Sequence, residues 1–255
     1  MAGPHEDKPD FLWLRPQHPP RSPQPSLSRE QIAAIAIAIA DRDGVDALSM
    51  RRVAAELGCG TMSLYRHVHT KDELLDLMID AVAGEDGGPP TTPSGNWRAD
   101  LREAAWRLRA SALRHPWLPR LSAARPSFGP NTLATIDFEL SAVDGLGLSI
   151  DEMAGMIQTM QAFVQGFVQN DLAEREWRNP PTGPTLDPWR AGMLAYIQRL
   201  IEAGKYPQFT RLVIDAEDFP DPDATFEWRL ERILDGLATA IPTTNQPPAA
   251  ATQAN

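Results

Sequence analysis

The sequence has a single cysteine, Cys59, among its 255 residues, which excludes an intrachain disulfide framework. Long apolar runs are also missing: the longest one without charge, residues 32–40, is far below the roughly 20 residues that span a bilayer. No basic N-terminal region precedes an apolar segment, so we predict a cytoplasmic protein without a membrane partner. Basic residues are outnumbered, with 24 Lys and Arg against 34 Asp and Glu, which argues against a surface coated overall in nucleic acid but permits a local basic face.

The distribution of proline and glycine predicts two domains with flexible ends. Residues 1–27 hold seven of the 24 prolines and no periodic pattern, which predicts a disordered arm; its apolar patch at residues 11–14 is the one part that has a reason to dock. Residues 84–96 have Gly or Pro at seven of 13 positions and are typical of a linker or loop. Residues 242–255 are uncharged and without period, and predict a disordered tail. The folded domains are therefore predicted at 28–83 and 97–241.

Every periodic segment between the two ends favours helix, so the predicted class is all-α. Capping-box patterns begin at Ser28, Thr70 and Ser149, and each precedes apolar residues at helical spacing. The sequence predicts helices from Ser28 to Gly44, from Ser49 to Leu57, over about 61–68, and from Thr70 onward. In the second domain it predicts helices that end at His115-Pro116, cover 133–146 and 153–170, begin at Asp187-Pro188, and cover about 223–241.

The first domain has the layout of a helix-turn-helix within a small helical bundle. Gly58 separates two short predicted helices and tolerates the left-handed conformation that such a turn needs. Between Ser49 and Lys71, four basic residues face Glu56 alone, which gives a local charge of +3. The helix after the turn offers groups suited to base edges and phosphates: Thr61, Met62, Ser63, Tyr65, Arg66 and His67. This pattern favours DNA binding, with a solvated basic face as the alternative.

Residues 48–75, with the sequence LSMRRVAAELGCGTMSLYRHVHTKDELL, closely resemble the DNA-binding signature of TetR-family transcriptional regulators. The resemblance extends over residues 28–83. It implies that Thr61, Met62 and Ser63 enter the major groove of DNA, and that Arg51 reaches a base or a phosphate from the preceding helix. It further implies that phosphates are held by a second set of side chains, Ser49, Tyr65, His67 and Lys71.

The second domain resembles the ligand-binding domain of the Tet repressor in the order of its predicted helices. An Arg-Pro pair precedes a helix there, as Arg125 and Pro126 do here, but the magnesium-binding histidine of that family has no counterpart in residues 120–124. A magnesium–tetracycline ligand is therefore not expected, and His115 is interpreted as a helix-end residue. His67 and His69 have no further ligand at suitable spacing. The sequence predicts neither a metal nor a cofactor.

Residues 153–170 carry no charge, which is typical of a helix enclosed on most of its sides. We expect this helix to pair with the one at 223–241, which repeats Phe226, Leu230 and Ile233, in a four-helix interface of a homodimer. The stripe of glutamines on the 153–170 helix then either faces a ligand cavity or is only a half-buried side of that helix. Trp106 lies off its helix's apolar stripe and meets either a second packing surface or the cavity. The predicted ligand-binding residues are Trp106, Trp117, Arg125, Phe138, Gln161 and Gln165.

Two functions remain open at this point. The favoured one is a ligand-responsive transcriptional regulator, a repressor that binds palindromic operator DNA as a homodimer and is released by a small apolar effector. The alternative is a small-molecule carrier or an enzyme that uses the C-terminal helical cavity, with a helix-turn-helix that does not bind DNA. The chain has no Gly-x-Ser-x-Gly, and Gly58-Cys59-Gly60 is not a phosphate loop, so no catalytic residues are predicted.

Overall fold

The computed structural model describes residues 11–15, 27–124, 126–178, 188–216 and 221–242, and within these ranges the chain forms helices and no strands. The predicted all-α class is confirmed. The α-helices of these ranges are α1 (Arg29–Asp43), α2 (Met50–Glu56), α3 (Thr61–Tyr65), α4 (Lys71–Ala83), α5 (Trp97–Arg114), α6 (Leu118–Ala124), α7 (Pro130–Val143), α8 (Ile150–Arg178), α9 (Pro188–Ala203), α10 (Pro207–Asp215) and α11 (Pro222–Ala238). None of these described helices is long and apolar enough to cross a membrane.

The N-terminal bundle is built around the packing of α1 against α4. Helix α1 begins at the predicted capping box, in which the backbone N–H of Gln31 donates to Oγ of Ser28 at 3.2 Å and the backbone N–H of Ser28 donates to Oε1 of Gln31 at 3.1 Å. Ile32 of α1 is fully buried in the bundle core, and so is Leu64 of α3. This shared core fixes the helix-turn-helix, α2 and α3, to the two longer helices.

Residues 11–15 pack onto this bundle, which differs from the disordered arm predicted over residues 1–27. Leu12 is 1% exposed and lies in a short 3-10 turn. Arg15 forms an ion pair with Glu73 of α4, and Trp13 lies so close to Gly129 that a side chain at that position would collide with it. The apolar patch docks because burial of Leu12 removes it from water. The rest of the predicted arm, residues 1–10 and 16–26, and the tail from 243 lie outside the described residues.

Helix α8 is the centre of the second domain and packs between α5 and α11. Its residues Met160, Val164 and Val168 are fully buried, as the predicted apolar arc requires. They share a core with Leu101 and Ala105 of α5 and with three residues of α11: Phe226, Leu230 and Leu234. The apolar stripe of α11 that the sequence analysis assigned to a dimer interface is thus partly used inside one chain, because α11 covers α8 and α5.

Two described helices, α6 and α10, were not predicted from the sequence, and several others, among them α3, α7 and α8, have different bounds. Helix α6 has seven residues, too few to display a repeating apolar stripe. Helix α7 covers 130–143 instead of 133–146, because Pro130 is favoured in the first turn of a helix. Helix α8 continues to Arg178 beyond the predicted end at 170, and α3 ends at Tyr65.

Candidate nucleic-acid interface and internal cavity

The turn between α2 and α3 is set by Gly58. Its φ of 65° lies in the left-handed region, which a residue with a side chain adopts at a cost. The N–H of Gly58 donates to the carbonyl of Ala55 at 3.1 Å, and that of Cys59 donates to the carbonyl of Ala54 at 3.0 Å. These two bonds form a Schellman motif, which ends α2 and redirects the chain into α3. The predicted turn is therefore present at the predicted glycine.

Helix α3 is anchored by one side and displays the other. Leu64 is fully buried, while Met62, two residues earlier, is 75% exposed. Thr61 and Ser63 are half-buried beside Met62, and Tyr65 is exposed at the end of the helix. A methyl-bearing group flanked by two hydroxyls is a combination that suits thymine methyls and base-edge hydrogen bonds in the major groove.

Three exposed cations surround this surface without an internal partner. Arg52 pairs with Asp43 and lies 3.7 Å from Glu56, and Glu56 is also held by Arg42 at 2.7 Å. In contrast, no carboxylate of the described chain forms an ion pair with Arg51, Arg66 or Lys71. Guanidinium and ammonium groups without a carboxylate partner are available to bind the phosphates of DNA. We name the set Arg51, Thr61, Met62, Ser63, Tyr65, Arg66 and Lys71 the basic face.

Two further predicted contact residues lie at the edges of the basic face. Ser49 is exposed at the start of α2, where its Oγ accepts a hydrogen bond of 3.3 Å from the backbone N–H of Arg52. Its hydroxyl proton remains able to donate to an acceptor such as a phosphate oxygen. His67 is half-buried between α3 and α4. The structure thus brings the predicted DNA-binding residues together around one helix-turn-helix.

A cavity of about 350 Å³, partly open to solvent, lies where the two domains meet. One wall belongs to the N-terminal bundle and includes Ile79 and Val82 of α4. The opposite wall comes from the second domain, with Leu108 of α5, Phe138 of α7, and Gln161 and Gln165 of α8, together with other side chains. The volume is in the range of pockets that hold small molecules, and its walls are largely apolar with a few polar groups, as such pockets require.

One carboxylate, that of Glu139, is buried at the wall of this cavity. Gln161 donates a hydrogen bond of 2.8 Å from Nε2 to Oε2 of Glu139. Loss of hydration on burial raises the pKa of Glu139 to about 7, although the Gln161 hydrogen bond and the positive charge of Arg107 lower it. This carboxyl group therefore changes its charge near neutral pH.

The predicted ligand-binding residues divide into three groups. Phe138, Gln161 and Gln165 line the cavity. Trp106 and Trp117 do not line it. Trp106 packs edge-on against Phe226 and donates to Glu227 at 2.7 Å, because α11 covers that side of α5. Trp117 is buried in the core of the N-terminal bundle. Arg125 lies outside the described residues.

The polar residues of the cavity wall that were not predicted from the sequence include Glu139, Arg107, Ser127 and Thr132. A signal for Glu139 was present: it stands three residues after Ile136 and four before Val143, on the apolar side of α7. A carboxylate at such a position is either paired or functional. No group of three His, Cys, Asp or Glu side chains among the described residues is placed to hold a metal ion.

Comparison with known proteins identifies the two domains. Residues 32–78 match the model of bacterial regulatory proteins of the tetR family, and residues 89–241 match that of the tetracyclin repressor-like C-terminal domain. The chain is 36% identical over 233 residues to the HTH-type transcriptional repressor DrrR1 of Streptomyces coeruleorubidus, which covers 91% of this chain and 85% of that protein. It is 28% identical over 214 residues to the class A tetracycline repressor protein from transposon 1721 of Escherichia coli, which covers 83% and 91% of the two chains.

A solved structure extends this likeness to three dimensions. The TetR family protein ActR of Streptomyces coelicolor, in complex with actinorhodin, superimposes with a TM-score of 0.65 and 31% sequence identity. The match covers 85% of this chain and 99% of ActR. Since the two family models together span most of the chain and the fold agrees, this chain belongs to the TetR family of bacterial transcriptional regulators.

Proposed function

We propose that this chain is a repressor that binds palindromic operator DNA as a homodimer and is released when a small, largely apolar effector enters the cavity. The observation that carries the proposal is that one cavity has walls from both domains, so a ligand there touches helix α4 directly. The residues proposed to contact DNA are those of the basic face together with Ser49 and His67. The regulator acts in the cytoplasm, where chromosomal DNA is accessible to it.

The basic face supports sequence-specific DNA binding over a carrier or an enzyme. A carrier has no need for Arg51, Arg66 and Lys71 as unpaired cations around one short helix. Arg51 and Lys71 would anchor the protein to phosphates, while Thr61, Met62 and Ser63 would distinguish bases. The repressor names of the relatives support the same assignment. We therefore infer a regulator and not an enzyme.

The outer side of α8 supports a homodimer. Within residues 153–170 of this helix the exposed positions form an uncharged stripe: Gly155, Gln158, Thr159, Ala162, Gly166, Gln169 and Asn170. Trp228 on the neighbouring α11 is 62% exposed, and α9 and α10 also leave apolar side chains in solvent, among them Leu194 and Leu212. Apolar surface of this extent is typical of an interface. Small residues in the stripe would allow the α8 helices of two copies to approach closely, with α11 beside them.

Helix α4 supplies the link between effector and DNA. Its Ile79 and Val82 line the cavity, while its Leu74 and Met78 belong to the core that holds α1 and the helix-turn-helix. A ligand that shifts α4 therefore changes the separation of the two α3 helices of a dimer. Operator binding requires half-sites about 34–36 Å apart, one turn of DNA, so this shift weakens DNA binding. By linkage, operator DNA weakens effector binding by the same factor.

The relatives support a small molecule as effector, since ActR is solved with actinorhodin and others are named tetracycline repressors. Selection of duplexes from a random-sequence pool with the purified protein tests the DNA-binding part. We expect enrichment of a two-fold symmetric sequence with half-sites about one helical turn apart. A pool without any enriched sequence, or a motif without symmetry, contradicts a dimeric operator-binding protein.

A further inference from the structure

The cavity between the two domains has a buried carboxylate, that of Glu139, in its wall. We propose that the ligand is an apolar, ring-containing amine whose protonated nitrogen is bound by the carboxylate of Glu139. This inference rests on the proposed function, because it takes the cavity to be the effector site. It adds the chemical class of the ligand and the residue that selects it.

Glu139 has an incomplete set of partners for a buried carboxylate. Gln161 donates to Oε2, and no other side chain or backbone group of the described residues donates a hydrogen bond to this carboxylate. An ionised carboxylate accepts several hydrogen bonds, and burial without them is unfavourable. An ammonium group in the cavity would supply both the missing donor and the missing positive charge.

The nearest protein cation does not neutralise Glu139 directly. Arg107 also lines the cavity, but its guanidinium donates to the carbonyl of Gly88 at 2.7 Å and to Glu103 at 3.1 Å. It forms no ion pair with Glu139. Arg107 is thus held by the linker and by its own helix, and the space beside Glu139 is left for a ligand cation.

The charges of the described lining residues favour a cation over an anion. Among the described lining residues there are three carboxylates, those of Glu85, Asp86 and Glu139, and one guanidinium, that of Arg107. Glu85 and Asp86 are held by Arg114, which lies outside the lining, at 2.7 and 2.9 Å. Helix α8 contributes the neutral amides of Gln161 and Gln165 to the lining. An anionic ligand would meet net negative charge here, which is unfavourable in a partly desolvated site.

The wall of the cavity also contains two buried hydroxyl groups and a large apolar part. Oγ of Ser127 and Oγ1 of Thr132 are inaccessible to solvent and have no hydrogen-bond partner, and both residues line the cavity. Because neither oxygen is accessible from the cavity, these hydroxyls are part of the packing behind its surface and give no indication of a ligand. The apolar remainder of the wall, from Ile79, Phe128 and Phe138 among others, suits the ring system of the proposed ligand.

Three tricyclic probes of matched size test the charge class. They are an aminoacridine with its amine on the central ring, a neutral hydroxymethylanthracene and an anthracene carboxylate, each followed by its own fluorescence with the DNA-free protein. We expect the parent to bind the amine at least about tenfold more tightly than the carboxylate. Glu139→Gln should weaken the amine by about tenfold and leave the neutral probe unchanged. Asp137→Asn, an exposed change on the same helix, is the matched control and should match the parent.

The pH dependence gives a readout that a merely structural role of Glu139 would not produce. The aminoacridine stays protonated between pH 6 and 8, whereas Glu139 ionises in this window because burial raises its pKa to about 7. The affinity of the aminoacridine for the parent should therefore rise by about tenfold from pH 6 to pH 8, and its affinity for Glu139→Gln should not change with pH. The other charged groups among the described lining residues are Glu85, Asp86 and Arg107, and of these Arg107 lowers the pKa of Glu139.

Equal affinity of the amine for parent and Glu139→Gln, a preference for the carboxylate, or no binding of any probe overturns the proposed ligand class. The separate binding of the parent to its selected operator duplex, measured without probes, distinguishes this failure from failure of the proposed function. If the operator is bound and the probe affinities are the same for the parent and Glu139→Gln, only the proposed ligand class is wrong. If the operator is not bound, the regulator assignment fails whatever the probes do.

Discussion

The indole N–H of Trp117 donates a hydrogen bond of 2.7 Å to Oδ1 of Asp41. Asp41 lies in α1, and Trp117 lies between α5 and α6, so the bond joins the N-terminal bundle to the second domain. His115 contacts the same carboxylate at 2.9 Å through Nδ1, and Glu85 at 3.1 Å through Nε2. Two buried side chains of the second domain therefore hold the end of α1 and the segment that follows α4.

Trp117→Phe tests the contribution of this contact between the domains. The substitution keeps most of the buried ring and removes the donor to a charged group, so the free energy of unfolding should fall by about 1–3 kcal/mol. Urea unfolding followed by circular dichroism at one protein concentration measures it. Asp137→Asn, at an exposed residue of α7, is the control and should leave the midpoint unchanged. If the two variants unfold at the same urea concentration, the contact does not stabilise the fold.

Leu12→Ala tests the docked N-terminal segment. Leu12 is 1% exposed, so its truncation should lower the free energy of unfolding by about 2–5 kcal/mol. Leu14→Ala removes the same atoms two residues later from a side chain that is 74% exposed, and should have almost no effect. Equal thermal unfolding temperatures for parent and Leu12→Ala would show that residues 11–15 do not pack on the bundle.

Glu139→Gln should change how stability depends on pH. Burial raises the pKa of Glu139 from 4.5 to about 7, so the folded protein keeps a proton that the unfolded chain has already lost. The stability of the parent relative to the variant is therefore greatest below pH 4.5 and falls between pH 4.5 and 7, by about 3 kcal/mol as an order of magnitude. Urea unfolding of both proteins at pH 5 and at pH 8 measures the change. A difference between the two proteins that is the same at both pH values contradicts the raised pKa.

Ala162→Arg tests the dimer interface. Ala162 is exposed in the single chain, so arginine there is compatible with the monomer fold. In a dimer formed through the outer side of α8 it would place two charges against each other, and we expect monomers. Light scattering coupled to size-exclusion chromatography gives the mass. Ala110→Arg, at an exposed alanine of α5, should remain dimeric. A dimer of the Ala162→Arg variant would move the interface elsewhere.

The sequence predicted the DNA-binding half of the molecule more closely than the cavity. The cap at Ser28, the turn at Gly58 and the buried anchor of α3 at Leu64 each depend on residues nearby in the chain. Such local features are visible in the sequence. Which side chains meet in a cavity depends on how distant helices pack. Trp106 and Trp117 are of a residue type that is common in ligand sites. In the structure, however, the indole N–H of each donates a hydrogen bond to a carboxylate away from the cavity.

Glu139 and Leu12 have structural roles that the sequence did not predict. Glu139 interrupts the apolar side of α7, but the sequence pattern does not show which groups surround such a position. Leu12 lies among prolines, where low periodicity favours disorder, and a single buried leucine with an ion pair from Arg15 is enough to dock the segment. In both cases tertiary contacts decided what local pattern could not.

The salt dependence of operator binding tests the central claim that the basic face binds DNA. The parent and the variants Lys71→Ala, Ser63→Ala and Lys205→Ala are titrated against the selected duplex and a scrambled one at several salt concentrations. Lys71→Ala should weaken binding to both duplexes and reduce the slope of log affinity against log salt by about one per protomer, because each lost phosphate contact releases fewer counterions. Ser63→Ala should lower the preference for the selected duplex, and Lys205→Ala, in the second domain, should match the parent. If all four proteins give the same affinities and the same slope, the basic face does not bind DNA.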